Sequence, residues 1–188
     1  DKTIQIAKKH NCKITKGGIP SVARNNGAKI AKGEFLFFFD ADVKLPKNFL
    51  KNAYSELNYR KIKLATCKIK PLSTLKIDKI LHEIANIFVI TTSNIYPHAP
   101  GFCILVKKSL FNKIKGFNNK KKLSEDHDFV KRASKYSKLK ILKSTFIYVS
   151  VRRLTMEGRY NLIKKYFQAE MNMLLGTNKK IDYEFGKF

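Results

Sequence analysis

The 188 residues suit one ordinary domain, and 44% hydrophobic residues supply a core, so the net charge of +25 does not place the chain among disordered proteins. No apolar run approaches the roughly 20 residues that a spanning helix needs. Three widely spaced cysteines (Cys12, Cys67, Cys103), with no C-x-x-C pair, argue against a zinc site or a disulfide framework and fit a reducing, cytoplasmic setting. The charge comes from 33 Lys and only 6 Arg, beside frequent Ile, Asn and Phe. That skew is as much the mark of biased composition as of a basic face toward an anionic membrane, and it is poor in the Arg that readers of bases favour.

In chain order, Thr3 to His10 reads as a short helix and Cys12 to Thr15 as a short strand. After the loop Gly17-Gly18-Ile19-Pro20, Ser21 is placed to cap a helix whose stripe is Val22, Ala23, Gly27, Ile30 and Ala31, with Gly33 as its C-terminal stop. Phe35 to Phe39 is short, aromatic and continuous, the pattern of a central strand buried on both faces. Pro46 opens a helix to about Tyr59. Lys63 to Ile69 is a strand, Ile77 to Thr91 an amphipathic helix, and Asn94 to Gly101 a loop. Cys103 to Val106 is a strand, and Ser109 to Ile114 a short helix ended by Gly116. Lys120-Lys121-Lys122 is an exposed charge run, and Ser124 caps a helix to about Tyr136. Lys140 to Leu142 and Phe146 to Val149 are two strands, Met156 to Leu175 is the longest helix, and 176–188 is a tail. Alternating helices and apolar strands predict an α/β domain with a mostly parallel sheet flanked by helices. In such sheets ligands bind beyond the carboxyl ends of strands, which is where Asp40 and Asp42 fall.

Two carboxylates one residue apart, just after a buried strand, are costly to hold together, and a divalent cation removes that cost. Hard oxygen ligands suit Mg²⁺ or Mn²⁺, which keep waters and accept phosphate oxygens. On the bland reading, Asp42 merely caps the next helix. Arg24, in the first turn of its helix, carries a guanidinium able to reach a nucleotide base or a diphosphate. Glu125 and Asp126 open another helix, where the dipole favours acids in any case.

The ordered run Ala23-Arg24-Asn25-Asn26-Gly27-Ala28, Ala31-Lys32-Gly33-Glu34 and Phe35 to Asp42 resembles the nucleotide-sugar half of family 2 glycosyltransferases with the GT-A fold. Gly116-Phe117 followed by Ser124-Glu125-Asp126-His127-Asp128 resembles the family's G-F and E-D segments, and Ser150-Val151-Arg152-Arg153 is similar to an S-x-R-R segment of some members. Asp1-Lys2-Thr3 resembles the tail of an early D-D-x-S-x-D-x-T segment, so the resemblance implies a catalytic domain without its first strand and without the early Asp that holds the base.

The likeness covers roughly residues 1–165. It implies a nucleotide-binding part over 1–42, an acceptor and catalytic part over 43–175, and transfer of a sugar with inversion. Asp40 and Asp42 would hold the metal and, with Arg24, Asn25, Arg152 and Arg153, the donor. Asp126 would be the base, assisted by Glu125, and His98 and Gly101 would line the acceptor side. The Q-x-x-R-W segment of related enzymes is missing from this sequence, which leaves the arginine pair without that support. The implied donor is a nucleoside-diphosphate sugar, UDP-linked first with guanine or thymine as the other bases, and the acceptor a glycan, lipid-linked or polysaccharide hydroxyl, met at the inner face of a membrane. Two other readings stand beside this one: a noncatalytic glycosyltransferase-like remnant, and a basic nucleic-acid-binding module. Against the latter, the aromatic residues lie largely in apolar runs, as core residues do.

Overall fold

The computed structural model describes residues 2–99, 101–121 and 124–175; the expected tail, Asp1, Pro100 and Lys122 lie outside them. Helix α1 (Thr3–Lys9) is exposed, and residues 12–15 form no strand. That short run contains Lys13 and stays exposed, so it has no sheet to join. Helix α2 (Pro20–Ile30) starts two residues earlier than expected. Pro20 takes the first helical position, where its missing N–H costs nothing, and Ile19 rather than Ser21 is the cap. Ser21 is instead buried, its hydroxyl 3.5 Å from the Lys121 carbonyl. The helix ends in extended backbone at Ala31, so Gly33 serves no left-handed stop.

Strand β1 (Phe35–Phe39) leads through Asp40 to the short β2 (Val43–Lys44) and helix α3 (Phe49–Tyr59), which starts three residues after Pro46. Strand β3 (Leu64–Pro71), helix α4 (Lys76–Thr92), strand β4 (Cys103–Lys107) and helix α5 (Lys108–Lys113) follow. Helix α6 (Glu125–Ser134), strand β5 (Lys140–Val149) and helices α7 (Arg152–Met156) and α8 (Arg159–Leu175) complete the order. The expected long C-terminal helix is thus two, parted at Gly158 (φ +81°), and the second is no longer than α4 at 17 residues each.

The α/β architecture is as expected, but the strand pairing is mixed. In the order β1-β4-β3-β5-β2, only β3 and β5 run parallel. The loop after α4 delivers the chain to the carboxyl end of β1, where Cys103 pairs with Phe39, so β4 must run backward. Strand β1 is not central, because among the described residues it pairs with β4 alone. Its continuous apolar run has a different cause: both of its faces are covered. Leu36 and Phe38 enter one core cluster, while Phe35, Phe37 and Phe39 pack against the other. Phe38, Phe111, Phe117 and Phe129 pack ring against ring within the first, Phe38 edge-on to Phe117 and Phe129, and Phe117 stacked on Phe129 at 4.2 Å. Each such ring contributes about 1.5–3 kcal/mol by burial. Cys67 and Cys103 face each other across β3 and β4, their sulfurs 3.4 Å apart and both thiols free.

The two strands expected at 140–149 are one, interrupted by a bulge: Cys67 pairs with Leu142 but Lys68 with Phe146. Glu56 of α3 satisfies the bulge, accepting the N–H groups of Lys143 and Ser144 and pairing with Arg60. Burial opposes the charge of Glu56, but the bonds from Ser144, Lys143 and Arg60 outweigh it and hold the pKa at about 2, against 4.5 ordinarily. A depressed carboxylate stabilises the fold above its unfolded pKa and loses that contribution as pH falls through the folded one. The urea midpoint is therefore expected to drop between pH 4.5 and about 2, and in Glu56→Gln this component of the pH dependence should vanish. An unchanged profile in the variant would assign the acid sensitivity to other carboxylates.

Candidate active site

The carboxyl end of β1, the second turn of α2, the loop before β4 and the start of α6 meet at one place. At its centre is Arg24, whose Nη2 donates to Asp40 Oδ1 at 2.7 Å and whose Nη1 donates to Glu125 Oε1 at 2.5 Å. The guanidinium also lies 5.4 Å from the centroid of the Phe117 ring. Asp126 Oδ2 accepts the Gly101 N–H at 2.7 Å, and its Oδ1 accepts the N–H of His127. Gly101 is required by space: a Cβ there would sit 2.7 Å from Arg24 Nη2 and 3.1 Å from Asp126 Oδ2. Arg24, Asp40, Glu125, Asp126 and Gly101 are therefore brought together, although they span a hundred residues of chain.

Burial and mutual repulsion disfavour the charges of these carboxylates, and Arg24 offsets them. Burial, then the neighbouring Asp126 charge, pushes the Glu125 carboxyl upward, and Arg24 pulls it back. Burial likewise raises Asp40, against the pull of Arg24, with Asp42 and Asp126 adding to the rise. Burial also works against the charge of Arg24, but Asp40 and Glu125 outweigh it. One guanidinium thus faces several carboxylates.

Asp42 is exposed in the turn after β1, within electrostatic reach of Asp40, and its carbonyl accepts the Ser150 N–H. Among the described residues no third His, Cys, Asp or Glu joins the pair in a metal-binding group. Two hard carboxylates alone still fit Mg²⁺ or Mn²⁺, ions that complete their shell with water and substrate phosphate.

Other expected residues have different surroundings. Asn25 is fully engaged away from the carboxylates. Its amide donates to the Phe117 carbonyl and to Asn119, and its carbonyl accepts the Phe117 N–H, fastening α2 to the Gly116-Phe117 turn. Gly116 has φ +68°, and a Cβ there would come within 2.6 Å of Asn25 Oδ1. Arg153 is bonded to Glu157 four residues on, and Arg152 is exposed at the start of α7. Ser124 holds the cap position of α6 at φ +56° but makes no side-chain capping bond. His98 is buried, and its ring stacks on His127 at 5.6 Å. From the sequence, His127 reads as a solvent-facing residue or one set behind the reacting groups, rather than a catalyst. Its Nε2 is 3.9 Å from Asp126 Oδ1, and its Nδ1 is buried without a partner among the described residues. In the sequence, only its place beside Asp126 signals this position.

The sequence model of glycosyl transferase family 2 matches residues 1–115. The chain belongs to glycosyl transferase family 2. Arg24, Asp40, Asp42, His98 and Gly101 lie inside the matched span of this family 2 chain, and Glu125 and Asp126 beyond it. No curated protein sequence matches the chain.

Among solved structures, the family 2 chain is similar to S. aureus TarS 1-349, with 20% identity and a TM-score of 0.61 over 98% of this chain and 54% of that one. The same fragment in complex with UDP-GlcNAc gives 18% identity and a TM-score of 0.60, over 98% and 56% respectively. The mannosyltransferase PcManGT from Pyrobaculum calidifontis, in complex with GDP-Man and Mn²⁺, gives 16% and 0.65 over 94% of this chain and 51% of that one. These likenesses establish the GT-A fold. The chain spans about half the length of each of these structures.

Proposed function

We propose that this family 2 domain transfers a sugar from a nucleoside-diphosphate donor, UDP-linked first, to a hydroxyl acceptor with inversion at the anomeric carbon. The observation that carries this reading is the convergence of Arg24, Asp40, Glu125 and Asp126 at the carboxyl end of β1. Arg24 supplies fixed positive charge beside the place for the diphosphate. Asp40 and Asp42 would hold Mg²⁺ or Mn²⁺, which supplies charge neutralisation to the departing nucleoside diphosphate. Asp126 accepts the proton of the acceptor hydroxyl as its oxygen bonds to the anomeric carbon and the bond to the diphosphate breaks. Glu125 keeps Arg24 in place, and the Gly101 N–H keeps one Asp126 oxygen oriented. The exposed Arg152, near Asp42 through Ser150, is the arginine of the pair better placed to meet a diphosphate.

A thermal-shift screen of nucleoside-diphosphate sugars with Mn²⁺ tests the reading, because a ligand of the folded state raises the melting temperature. Asp42 is the carboxylate of the pair that Arg24 does not engage. Asp42→Asn is therefore expected to weaken metal and nucleotide binding together by at least roughly 10-fold, the lower end of what disturbing a metal site costs. Calorimetry with UDP and Mn²⁺ reads both. If no donor shifts the melting curve, or if Asp42→Asn leaves metal and nucleotide binding unchanged, the assignment fails.

A further inference from the structure

Helix α4 is inside out. The two residues it buries outright are polar, Asp78 fully buried and Asn86 5% exposed, with Leu81, His82 and Val89 half-buried beside them. Asp78 accepts Arg159 Nε at 2.7 Å and the Ser73 hydroxyl. The side-chain amide of Asn86 both accepts from and donates to the backbone of Ile69, satisfying that part of β3. The face turned outward is apolar. Ile77, Ile80, Ile84, Ile87 and Phe88, at helical spacing, each leave about 40–60% of their surface exposed, and Ile95 just beyond the helix is 91% exposed. A contiguous patch of this kind on a soluble domain marks an interaction site.

The charges around it select the occupant. The carboxylates on the helix are matched internally, Asp78 by Arg159 and Glu83 by Lys68. Lys76 and Lys79 are exposed at its N-terminal end, and among the described residues no carboxylate pairs with either. An apolar face with uncompensated lysines and neutralised acids, on a chain of +25, complements an anionic lipid surface. No helix of the described residues is long and apolar enough to cross a membrane, so α4 would lie on one. The outward face also leads to the site: the Phe88 ring is 5.2 Å from His98, which stacks on His127 beside Asp126.

We propose that α4 lies in the interface of an anionic bilayer, so that an acceptor hydroxyl carried by a lipid is presented to Asp126. The second half of this statement rests on the transferase reading above, and the first does not. Flotation with phosphatidylglycerol–phosphatidylcholine vesicles, against phosphatidylcholine alone, tests the docking. The protein is expected to float with the anionic vesicles. Ile80→Gln/Ile84→Gln/Ile87→Gln should cut partitioning tenfold or more, and Lys76→Gln/Lys79→Gln about fivefold per lysine. All variants should keep the parent melting temperature and its donor-induced shift, because the altered side chains are exposed.

If the triple variant fails to fold, Ile84→Cys in a Cys12→Ser background, carrying an environment-sensitive fluorophore, gives the same answer: a blue shift on anionic vesicles supports docking, and no shift overturns it. Flotation of the folded triple variant at the parent level overturns the proposal. So does a lipid-free dimer, seen by light scattering, that the triple variant dissociates, since the face would then be a protein interface. Vesicle binding without any donor-induced shift would keep the docking and remove the transferase reading, and the reverse pattern would do the opposite.

Discussion

Asp126→Asn is expected to slow sugar transfer by about two to four orders of magnitude while leaving donor binding nearly intact, the range usual for loss of a general base. Asn is nearly isosteric with Asp, and its carbonyl oxygen can still accept the Gly101 N–H that Asp126 Oδ2 accepts at 2.7 Å. The loop before β4 therefore stays in place, and what is lost is proton affinity, the charge beside Arg24 and the second oxygen, which accepts the His127 N–H. Donor binding depends on other groups, Arg24, Asp40 and Asp42, which contribute before the acceptor proton moves. Transfer assays at saturating donor, beside calorimetry with the nucleoside diphosphate and Mn²⁺, separate the two stages. If Asp126→Asn abolished nucleotide binding and spared the rate at saturation, the base assignment would be wrong.

Arg24→Ala should have the largest effect on stability, a loss of about 3–5 kcal/mol, as when one partner of a buried ion pair is removed. Arg24 is the cation shared by Asp40 and Glu125, and the Glu125 side chain is only 7% exposed. Without the guanidinium, Glu125 remains as a buried anion already disfavoured by burial and by Asp126. Asp40, at 36% side-chain exposure, is better solvated and adds less. Removing the orphaned charge as well should therefore recover part of the loss, so Arg24→Ala/Glu125→Gln should melt above Arg24→Ala. Urea unfolding of the three proteins measures this. A single variant with the parent's midpoint would show that the pair contributes nothing net.

What was legible in the sequence was local. The aromatic run of β1, the Asp-Ala-Asp that ends it and the Glu125-Asp126 helix entry each announce themselves within a few residues, and the spacing of the Arg24 helix to β1 carried the family resemblance. What was not legible depends on distant partners. That Asn25 serves Phe117 is decided 92 residues away. That β5 is a single bulged strand depends on Glu56 reaching it from α3. The periodicity of α4 is plain, but which side faces inward is set by Ile69 and Arg159, and here those contacts overrule hydrophobicity. The place of β1 in the sheet is a matter of pairing, which an apolar run covered on both faces does not encode.

The outer side of β1 has a consequence for how this domain behaves at high concentration. Its five residues carry no charge, and apolar grooves of about 440 and 290 Å³ flank the strand, one against Leu50 and Tyr54 and the other against Ala28 and Ala31. An aromatic, uncharged edge, unpaired among the described residues, is a template for strand-to-strand growth, and proteins blunt such edges with charges. At the end where β1 stops, those charges are Asp40 and Asp42. The carboxylates assigned to chemistry are therefore also the negative charges that border this edge.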